Sequence, residues 1–200
     1  GVQTCALPIC VLGFSVQIYC DFSGYSDLAI GVAALMGYEL KDNFNFPYQS
    51  LNLTEFWHRW HIALSTWFRD YLYIPLGGNR KGALRTYLNS FLAMIVAGLW
   101  HGASWIFILW GVLHGMGLVI HKFCLNNGLS KIPNNTYVKV ASWLITFCYV
   151  SFAWIFFRAN NIDSAIELIS HIIHETHLSD AYTFLMSYPV WLLLVLISLE

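Results

Sequence analysis

Residues 87–121 read YLNSFLAMIVAGLWHGASWIFILWGVLHGMGLVIH and decide the fold. None of these 35 residues is Asp, Glu, Lys or Arg. The stretch is too long for one membrane-spanning helix, which takes about 20 residues, and short for two. Near its middle, within GLWHGAS at 98–104, glycines stand on both sides of His101. We therefore predict two helices that meet at a break around His101 inside the membrane, where irregular backbone survives only within protein or beside a water-filled cavity.

The composition of the whole chain is that of an integral membrane protein. Of its 200 residues, 58% are hydrophobic and only 10% are charged, against about 25% charged in a typical soluble domain. So few charges could not cover the surface of a soluble globule, and so many apolar residues exclude a disordered chain. The net charge of −1 and the lack of a basic run exclude a nucleic-acid partner. The predicted fold class is an all-α, multi-pass transmembrane helical bundle.

The charges around the central stretch predict its orientation. Basic residues cluster within 77–86 and 122–139, on both sides of 87–121, whereas the charges after Arg158 are all acidic. The positive-inside rule places the two basic segments in the cytoplasm and the segment 159–180 outside. The central stretch would then enter the membrane and return to the same side as a broken or re-entrant helix pair.

The remaining uncharged stretches and the chain ends complete the organisation. Residues 140–157 predict one transmembrane helix and residues 188–199 another. Residues 1–9, GVQTCALPI, resemble the translation of a sequencing adapter and are left out of the fold prediction. Residues 10–200 are then expected to be part of a longer membrane domain.

Residues 12–20 and 26–37 predict two helices interrupted by DFSGYSD at 21–27. Carboxylates between apolar helices are costly in lipid. Asp21 and Asp27 are therefore expected to face a cavity, a partner or the membrane interface. The alternative is a capped, solvated turn between the two helices.

A helix is predicted after the loop 41–53, from the capping pair Asn52 and Glu55 to about Tyr73. Its apolar side chains share one face at helical spacing: Trp57, Trp60, Leu64, Trp67, Phe68 and Tyr71. Such a tryptophan-rich amphipathic helix suits the membrane interface or the wall of a helix bundle.

Three histidines in the apolar segments are candidates for chemistry. A buried His101 would be neutral and would offer one ring nitrogen as a general base to a hydroxyl; the alternative is a core histidine bonded to backbone. His61 lies on the aromatic face of its helix, where it either bonds a buried partner or lines a cavity. His114 shares a face with Gly111 and Gly115, a small-residue packing pattern, and is expected to hydrogen-bond across a close helix contact.

A second group of histidines lies near the end of the sequence. His171, His174 and His177 recur every third residue with Glu175 among them, which is compatible with a metal site. The spacing is not the HExxH of zinc proteases, and a solvated extracellular helix face explains it more simply. We therefore expect no metal.

Six motifs follow one another between about residues 16 and 121. They read IYCDFSGYSD at 18–27, NFNFPY at 43–48, FWHRWHIALS at 56–65, RDYLYIPLGGNR at 69–80, GLWHGA at 98–103 and WGVLHG at 110–115. In this order they resemble the membrane-bound O-acyltransferase family, and within it the bacterial alginate O-acetyltransferase type. Residues 122–200 match that family more loosely.

The resemblance implies a large multi-pass membrane enzyme that moves an acyl group to a hydroxyl. The intramembrane histidine shared by the family falls on His101, and a second polar position, histidine in this branch, falls on His61. His61, or backbone N–H groups near it, would steady the oxyanion. Supporting or tunnel-lining places are assigned to Asp21, Asp27, Trp60, Arg69, Asp70, Trp100 and His114.

The resemblance also implies the substrates. The donor is expected to be acetyl-coenzyme A or another acyl thioester, arriving from the cytoplasmic side near the basic loop 80–85, and no cofactor is expected to stay bound. The acceptor is expected to be an extracytoplasmic polysaccharide such as alginate, or a secreted relay partner, at the inner membrane of a bacterium. Two alternatives stay open: D-alanyl or other acyl transfer to cell-wall polymers, and a transporter segment, since transporters also use broken helices.

Overall fold

A computed structural model describes residues 7–128 and 135–175, and within these ranges the chain forms helices, turns and loops without a strand. The helices are α1 (Leu7–Leu35), α2 (Leu53–Arg59), α3 (Ile62–Phe68), α4 (Ala83–His101), α5 (Trp105–Asn126), α6 (Thr136–Arg158) and α7 (Ile162–Glu175). A 3-10 turn, Pro47–Gln49, precedes α2, and a π-helical turn, Arg69–Tyr73, follows α3. The predicted all-α class is confirmed.

Three of these helices, α4, α5 and α6, are long and apolar enough to cross a membrane. Helix α4 begins before the uncharged stretch and contains Arg85, and α5 extends beyond it and contains Lys122. The two helices meet at a break directly after His101, as predicted, and by length and composition each is long enough to be a candidate span. Helix α6 contains the predicted span 140–157, whereas 188–199 lies outside the described residues.

Helix α1 is continuous over 29 residues, which corrects the break predicted at 21–27. Its two aspartates are both exposed, so no turn is needed to solvate them. Ser26 is buried and accepts a hydrogen bond of 3.1 Å from Nδ2 of Asn43. The polar residues of this segment therefore sit on a helix surface that is partly packed and partly exposed.

The prediction of one helix from Asn52 to about Tyr73 is correct for the start of the helix and wrong for its middle. Oδ1 of Asn52 accepts from the backbone N–H of Glu55 at 2.8 Å, and the Glu55 carboxylate accepts from the N–H of Leu51 at 2.9 Å. This reciprocal cap begins α2 as the sequence indicates. The helix then ends at Arg59, and α3 begins only at Ile62.

Helices α4 and α5 form a close antiparallel hairpin whose turn is Gly102–Ser104. A Cβ on Gly98 would overlap the carbonyl oxygen of Phe107, and a Cβ on Gly111 would overlap that of Met94. Glycine therefore lets the two backbones touch, as the small-residue spacing predicts. The hairpin holds His101, the last residue of α4, beside the start of α5.

Aromatic side chains from α2, α5 and α6 form the core behind this hairpin. Phe56, Trp110 and Trp154 are each about 1% exposed, and the rings of Trp110 and Trp154 stack at 6.2 Å. Trp60 packs on Trp154 at 5.1 Å. Buried aromatic rings of this size dominate core energetics, so this cluster fixes the position of α2 and its C-terminal break against the hairpin.

Candidate active site

The ring of His101 lies in an aromatic cage at the end of α4. Its centroid is 5.1 Å from the centroids of Trp110 and Phe157, and both contacts are edge-to-face. The ring is partly exposed, and within residues 7–128 and 135–175 neither of its nitrogens has a hydrogen-bond partner. The aromatic rings of the cage contact the imidazole of His101 and hold it in place. Both nitrogens of the imidazole stay available to a reactant.

His61 occupies the break between α2 and α3 in a strained backbone conformation. Its φ of 45° and ψ of 57° are left-handed, a region that residues other than glycine rarely adopt. Such strain costs on the order of 1–3 kcal/mol and persists only where the surroundings hold it. The N–H of Trp60 makes the closing bond of α2, to the carbonyl of Phe56, and the carbonyl of His61 starts α3 by accepting from the N–H of Ser65 at 3.0 Å.

Asn43 holds His61 in place and fixes which ring nitrogen is available. Its Oδ1 lies 3.0 Å from Nδ1 of His61 and also accepts from the N–H of Ala63 at 3.2 Å, while its Nδ2 donates to Ser26. Because Oδ1 can only accept, Nδ1 of His61 carries the proton in this bond. Neutral His61 therefore presents the lone pair of Nε2.

The two histidines flank one indole. The ring of Trp100 lies 5.0 Å from that of His101 and 6.5 Å from that of His61, centroid to centroid. Burial first, and then the nearby His101, lower the pKa of His61 to about 4 from an ordinary 6.5. At neutral pH His61 is thus uncharged. Trp100 is itself 58% exposed, so it forms an open edge of the site.

The tautomer of His61 alters one expectation for its role. A neutral ring whose Nε2 holds a lone pair accepts hydrogen bonds and cannot donate one to an oxyanion from that atom. The predicted oxyanion role therefore suits backbone N–H groups better than His61. Helix α5 begins at Trp105 without a side-chain cap, directly after the turn that follows His101, and its first N–H groups are of this kind.

His114 lies one layer beneath the cage and does not reach its opening. It is fully buried, and its Nδ1 accepts from Nε1 of Trp57 at 3.3 Å. Its ring packs on Trp110 at 4.8 Å, and Trp110 in turn packs on His101. His114 thus packs behind the cage and joins α5 to α2 through this hydrogen bond, whereas the Gly111 and Gly115 contact that the sequence singled out is made with α4.

The other supporting residues assigned from the sequence fall in different places. Trp60 is buried behind the break, in edge-to-face contact with Phe44 at 5.0 Å. Arg69 and Asp70 pair with each other at 2.7 Å on the exposed π-helical turn. In the described part of the chain, these two residues and the exposed aspartates of α1 make no hydrogen bond or ion pair with either catalytic candidate. Phe22, the neighbour of Asp21 on α1, does reach the site, where its ring lies 4.8 Å from that of His61.

No metal-binding group is present among the described residues. Within 7–128 and 135–175, no three or more His, Cys, Asp or Glu side chains are grouped so that they could hold an ion. His171 lies 3.9 Å from the carboxylate of Glu167, one turn before it on α7. His177, the third histidine of that series, lies outside the described residues.

Three residues of the site were not singled out from the sequence. Asn43 was visible only as a loop asparagine within a family motif, and its contact with His61 spans 18 positions. Trp110 and Phe157 form two walls of the cage around His101. Nothing in the sequence indicates that Phe157, at the end of α6, reaches the end of α4.

Known proteins resemble this chain over most of its described length. The model of the membrane-bound O-acyltransferase family matches residues 5–166. The peptidoglycan O-acetyltransferase of Helicobacter pylori is 46% identical over 162 residues, which are 81% of this chain and 30% of that protein. The probable alginate O-acetylase of Pseudomonas fluorescens is 52% identical over 154 residues, 77% of this chain and 30% of that protein.

A third relative is more distant. The teichoic acid D-alanyltransferase of Streptococcus thermophilus is 36% identical over 165 residues, which are 74% of this chain and 39% of that protein. The matched part of the chain thus spans about a third of the length of these relatives. The segment that the family model matches, residues 5–166, contains the break at His61, the α4–α5 hairpin and the cage around His101.

Proposed function

Because the chain belongs to the membrane-bound O-acyltransferase family, we propose that it forms the catalytic part of an enzyme that transfers an acyl group to a hydroxyl. The observation that carries this proposal is the imidazole of His101, partly exposed, caged by aromatic rings and without a hydrogen-bond partner among the described residues. A base for a hydroxyl needs a fixed ring with a free nitrogen, which this arrangement provides.

The chemical step that fits the site is direct transfer from a thioester. The acceptor hydroxyl oxygen attacks the acyl carbon while an unprotonated nitrogen of His101 takes the hydroxyl proton. The bond from carbon to sulfur then breaks, the acyl group stays on the acceptor as an ester, and the leaving thiolate takes the proton from the imidazolium. The ring is thereby returned to its neutral form.

His61 serves this step as an acceptor of hydrogen bonds. Its Nε2 lone pair, set by the bond from Nδ1 to Asn43, suits a hydroxyl that must be oriented before it attacks. The negative charge that develops on the acyl oxygen is better met by backbone N–H groups at the start of α5. The two histidines then act on the acceptor, and the helix end acts on the donor.

The acetyl group and an extracytoplasmic polymer are the favoured substrates. Two of the relatives, at 46% and 52% identity, are named for O-acetyl transfer to peptidoglycan and to alginate, and the D-alanyltransferase at 36% is more distant. We therefore assign acetyl-coenzyme A or another acetyl thioester as donor, and a polysaccharide hydroxyl or a secreted relay protein as acceptor. The bacterial inner membrane is the location that fits these substrates.

The test measures ester formation on a polymer. Membranes that contain the protein receive acetyl-coenzyme A labelled in the acetyl group together with alginate or peptidoglycan, and alkali-labile label on the polymer is counted. Membranes with the His101→Ala variant are the blank. Label that depends on the protein and on His101 supports the proposal.

Two other results would contradict it. If label enters the polymer only from a D-alanyl thioester, the transferred group is D-alanyl and not acetyl. Solute flux into proteoliposomes, with no acyl transfer from either thioester, would favour the transporter alternative.

A further inference from the structure

A second polar site lies at the end of the α4–α5 hairpin opposite to His101. It is an open pocket of about 460 Å³ between the start of α4, the end of α5 and the loop before α4. Its lining is Tyr73, Asn79, Gly82, Ala83, Thr86, Tyr87, Lys122, Leu125 and Asn126. The distance along α4 from Thr86 to His101 is about 22 Å at 1.5 Å per residue, so this pocket is separate from the proposed active site.

The pocket contains a positive charge that no carboxylate neutralises. The ammonium of Lys122 donates to Oγ of Ser90 at 2.5 Å and lies 5.0 Å from the centre of the Tyr73 ring. The lining has no Asp or Glu, and no ion pair to Lys122 occurs in the part of the chain that the structure describes. Because no carboxylate is paired with it, this half-buried ammonium is placed to bind an anion that enters the pocket.

The surroundings of Lys122 add further positive charge and hydrogen-bond donors. Arg80 and Lys81 directly follow Asn79 of the lining. Helix α4 starts at the pocket wall with Gly82 as its N-cap and no capping side chain. The amide of Asn126 and the hydroxyl of Tyr87 bond each other at 2.8 Å within the lining. A small oxyanion with several acceptor oxygens matches this combination.

The position of the pocket selects the kind of anion. It lies where two candidate membrane spans end, on the side that carries the basic loop 77–86. Basic pockets between transmembrane helices at a cytoplasmic surface bind the head groups of anionic phospholipids. The phosphate of such a head group and the phosphate of a soluble nucleotide share the same chemistry.

We propose that this pocket binds a phosphate group through Lys122, as the phosphodiester of an anionic phospholipid or as a phosphate that arrives from water. The site goes beyond acyl transfer, because it acts at the far end of the hairpin and needs no reacting substrate. Filling it would tie the start of α4 to the end of α5 and so fix the hairpin that carries His101.

The experiment measures lipid binding without any acyl donor, so its result is independent of the proposed enzymatic activity. The protein is placed in phosphatidylcholine nanodiscs and titrated with phosphatidylglycerol that carries a fluorescent label on its acyl chain. Energy transfer from tryptophan is compared with that to phosphatidylcholine labelled in the same way. The variants are Lys122→Gln, Lys122→Arg and, as a matched control, Lys139→Gln, which removes an exposed lysine at the start of α6.

We expect the preference of K122Q for phosphatidylglycerol over phosphatidylcholine to be about fivefold smaller than that of the wild type. This factor corresponds to about 1 kcal/mol, the contribution of one lysine near an anionic head group. K122R and K139Q should keep the preference. The Asn126→Asp variant adds a carboxylate at an exposed position of the lining and should also lower the preference for phosphatidylglycerol. It tests the site even if K122Q does not fold.

Competition separates the two sources of phosphate. Displacement of the labelled lipid by millimolar inorganic phosphate supports a site open to soluble phosphates. A preference that resists phosphate and is lost in K122Q supports a lipid head group. Equal preference in the wild type, K122Q and N126D, or an equal loss in K139Q, would overturn the proposal.

Discussion

Oδ1 of Asn43 lies 3.0 Å from Nδ1 of His61 and joins a loop to the left-handed break between α2 and α3. The same oxygen accepts from the N–H of Ala63, the second residue of α3. One amide thus sets both the backbone after the break and the ring orientation of His61. The carbonyl of Asn43 also accepts from the N–H of Ile62 at 2.9 Å, which adds a backbone contact to the same break.

Replacing Asn43 should therefore impair catalysis through His61. Asn43→Leu removes the acceptor for Nδ1, and the acyl-transfer rate should fall up to about 10²-fold, as expected when a positioned group is misplaced by about 1 Å. Asn43→Asp keeps an acceptor oxygen and should retain more activity than N43L. Rates are compared at equal protein content in membranes. An unchanged rate in N43L would remove Asn43 from the positioning role.

The low pKa of His61 predicts how stability changes with pH. The ring binds its proton near pH 4 in the folded protein and near 6.5 when unfolded. Between these values the unfolded chain holds more protons, so this contribution to stability is complete above pH 6.5 and is lost as the pH falls toward 4. The Tm of the wild type should fall more steeply over this range than that of His61→Gln. Parallel curves for the two proteins would show that His61 is not buried as a neutral ring.

The close contact in the α4–α5 hairpin predicts the effect of one added methyl group. Gly98→Ala would push a Cβ into the carbonyl oxygen of Phe107, which is backbone and cannot rotate away. The free energy of unfolding should fall by about 1–3 kcal/mol, with a matching drop in activity as His101 moves. Gly13→Ala is the control, because open space surrounds that position on α1. The Tm of each variant is measured by thermal unfolding in detergent, and that of G98A should be the lower. An equal Tm for both variants would contradict a tight hairpin.

His114 should behave as a supporting residue. His114→Leu leaves the N–H of Trp57 without its acceptor, at a cost of about 1–3 kcal/mol in the free energy of unfolding. Because the ring lies beneath Trp110 and does not reach the opening, the transfer rate should fall much less than in the His101→Ala variant. Parallel measurement of Tm and rate checks this. A loss of rate as large as that of H101A, at unchanged Tm, would make His114 part of the chemistry.

The hairpin and its glycine seam were predictable because they depend on local features. An uncharged stretch marks the helices, and Gly111 and Gly115 at helical spacing mark the contact face. The helix ends were less predictable. Arg85 and Lys122 lie inside α4 and α5, so charge alone placed the ends of the two helices too close to the break.

The break at His61 and the continuity of α1 could not be obtained from local pattern. A left-handed histidine has no sequence signal, since the aromatic stripe continues across it and no glycine or proline interrupts the helix. It is held by Asn43, which is 18 positions away. In α1, the serines and aspartates of 21–27 suggest a turn, but Ser26 finds its partner in the same distant asparagine. Tertiary contacts therefore determine both the break at His61 and the continuity of α1.

The base role of His101 is tested most directly by removing its imidazole and nothing else. The acyl-transfer rate of His101→Ala is measured beside that of His58→Ala, an exposed histidine on α2, at equal amounts of membrane-inserted protein. We predict a loss of about 10²–10⁴-fold in H101A and an unchanged rate in H58A. Transfer by H101A at the rate of the wild type would contradict the account.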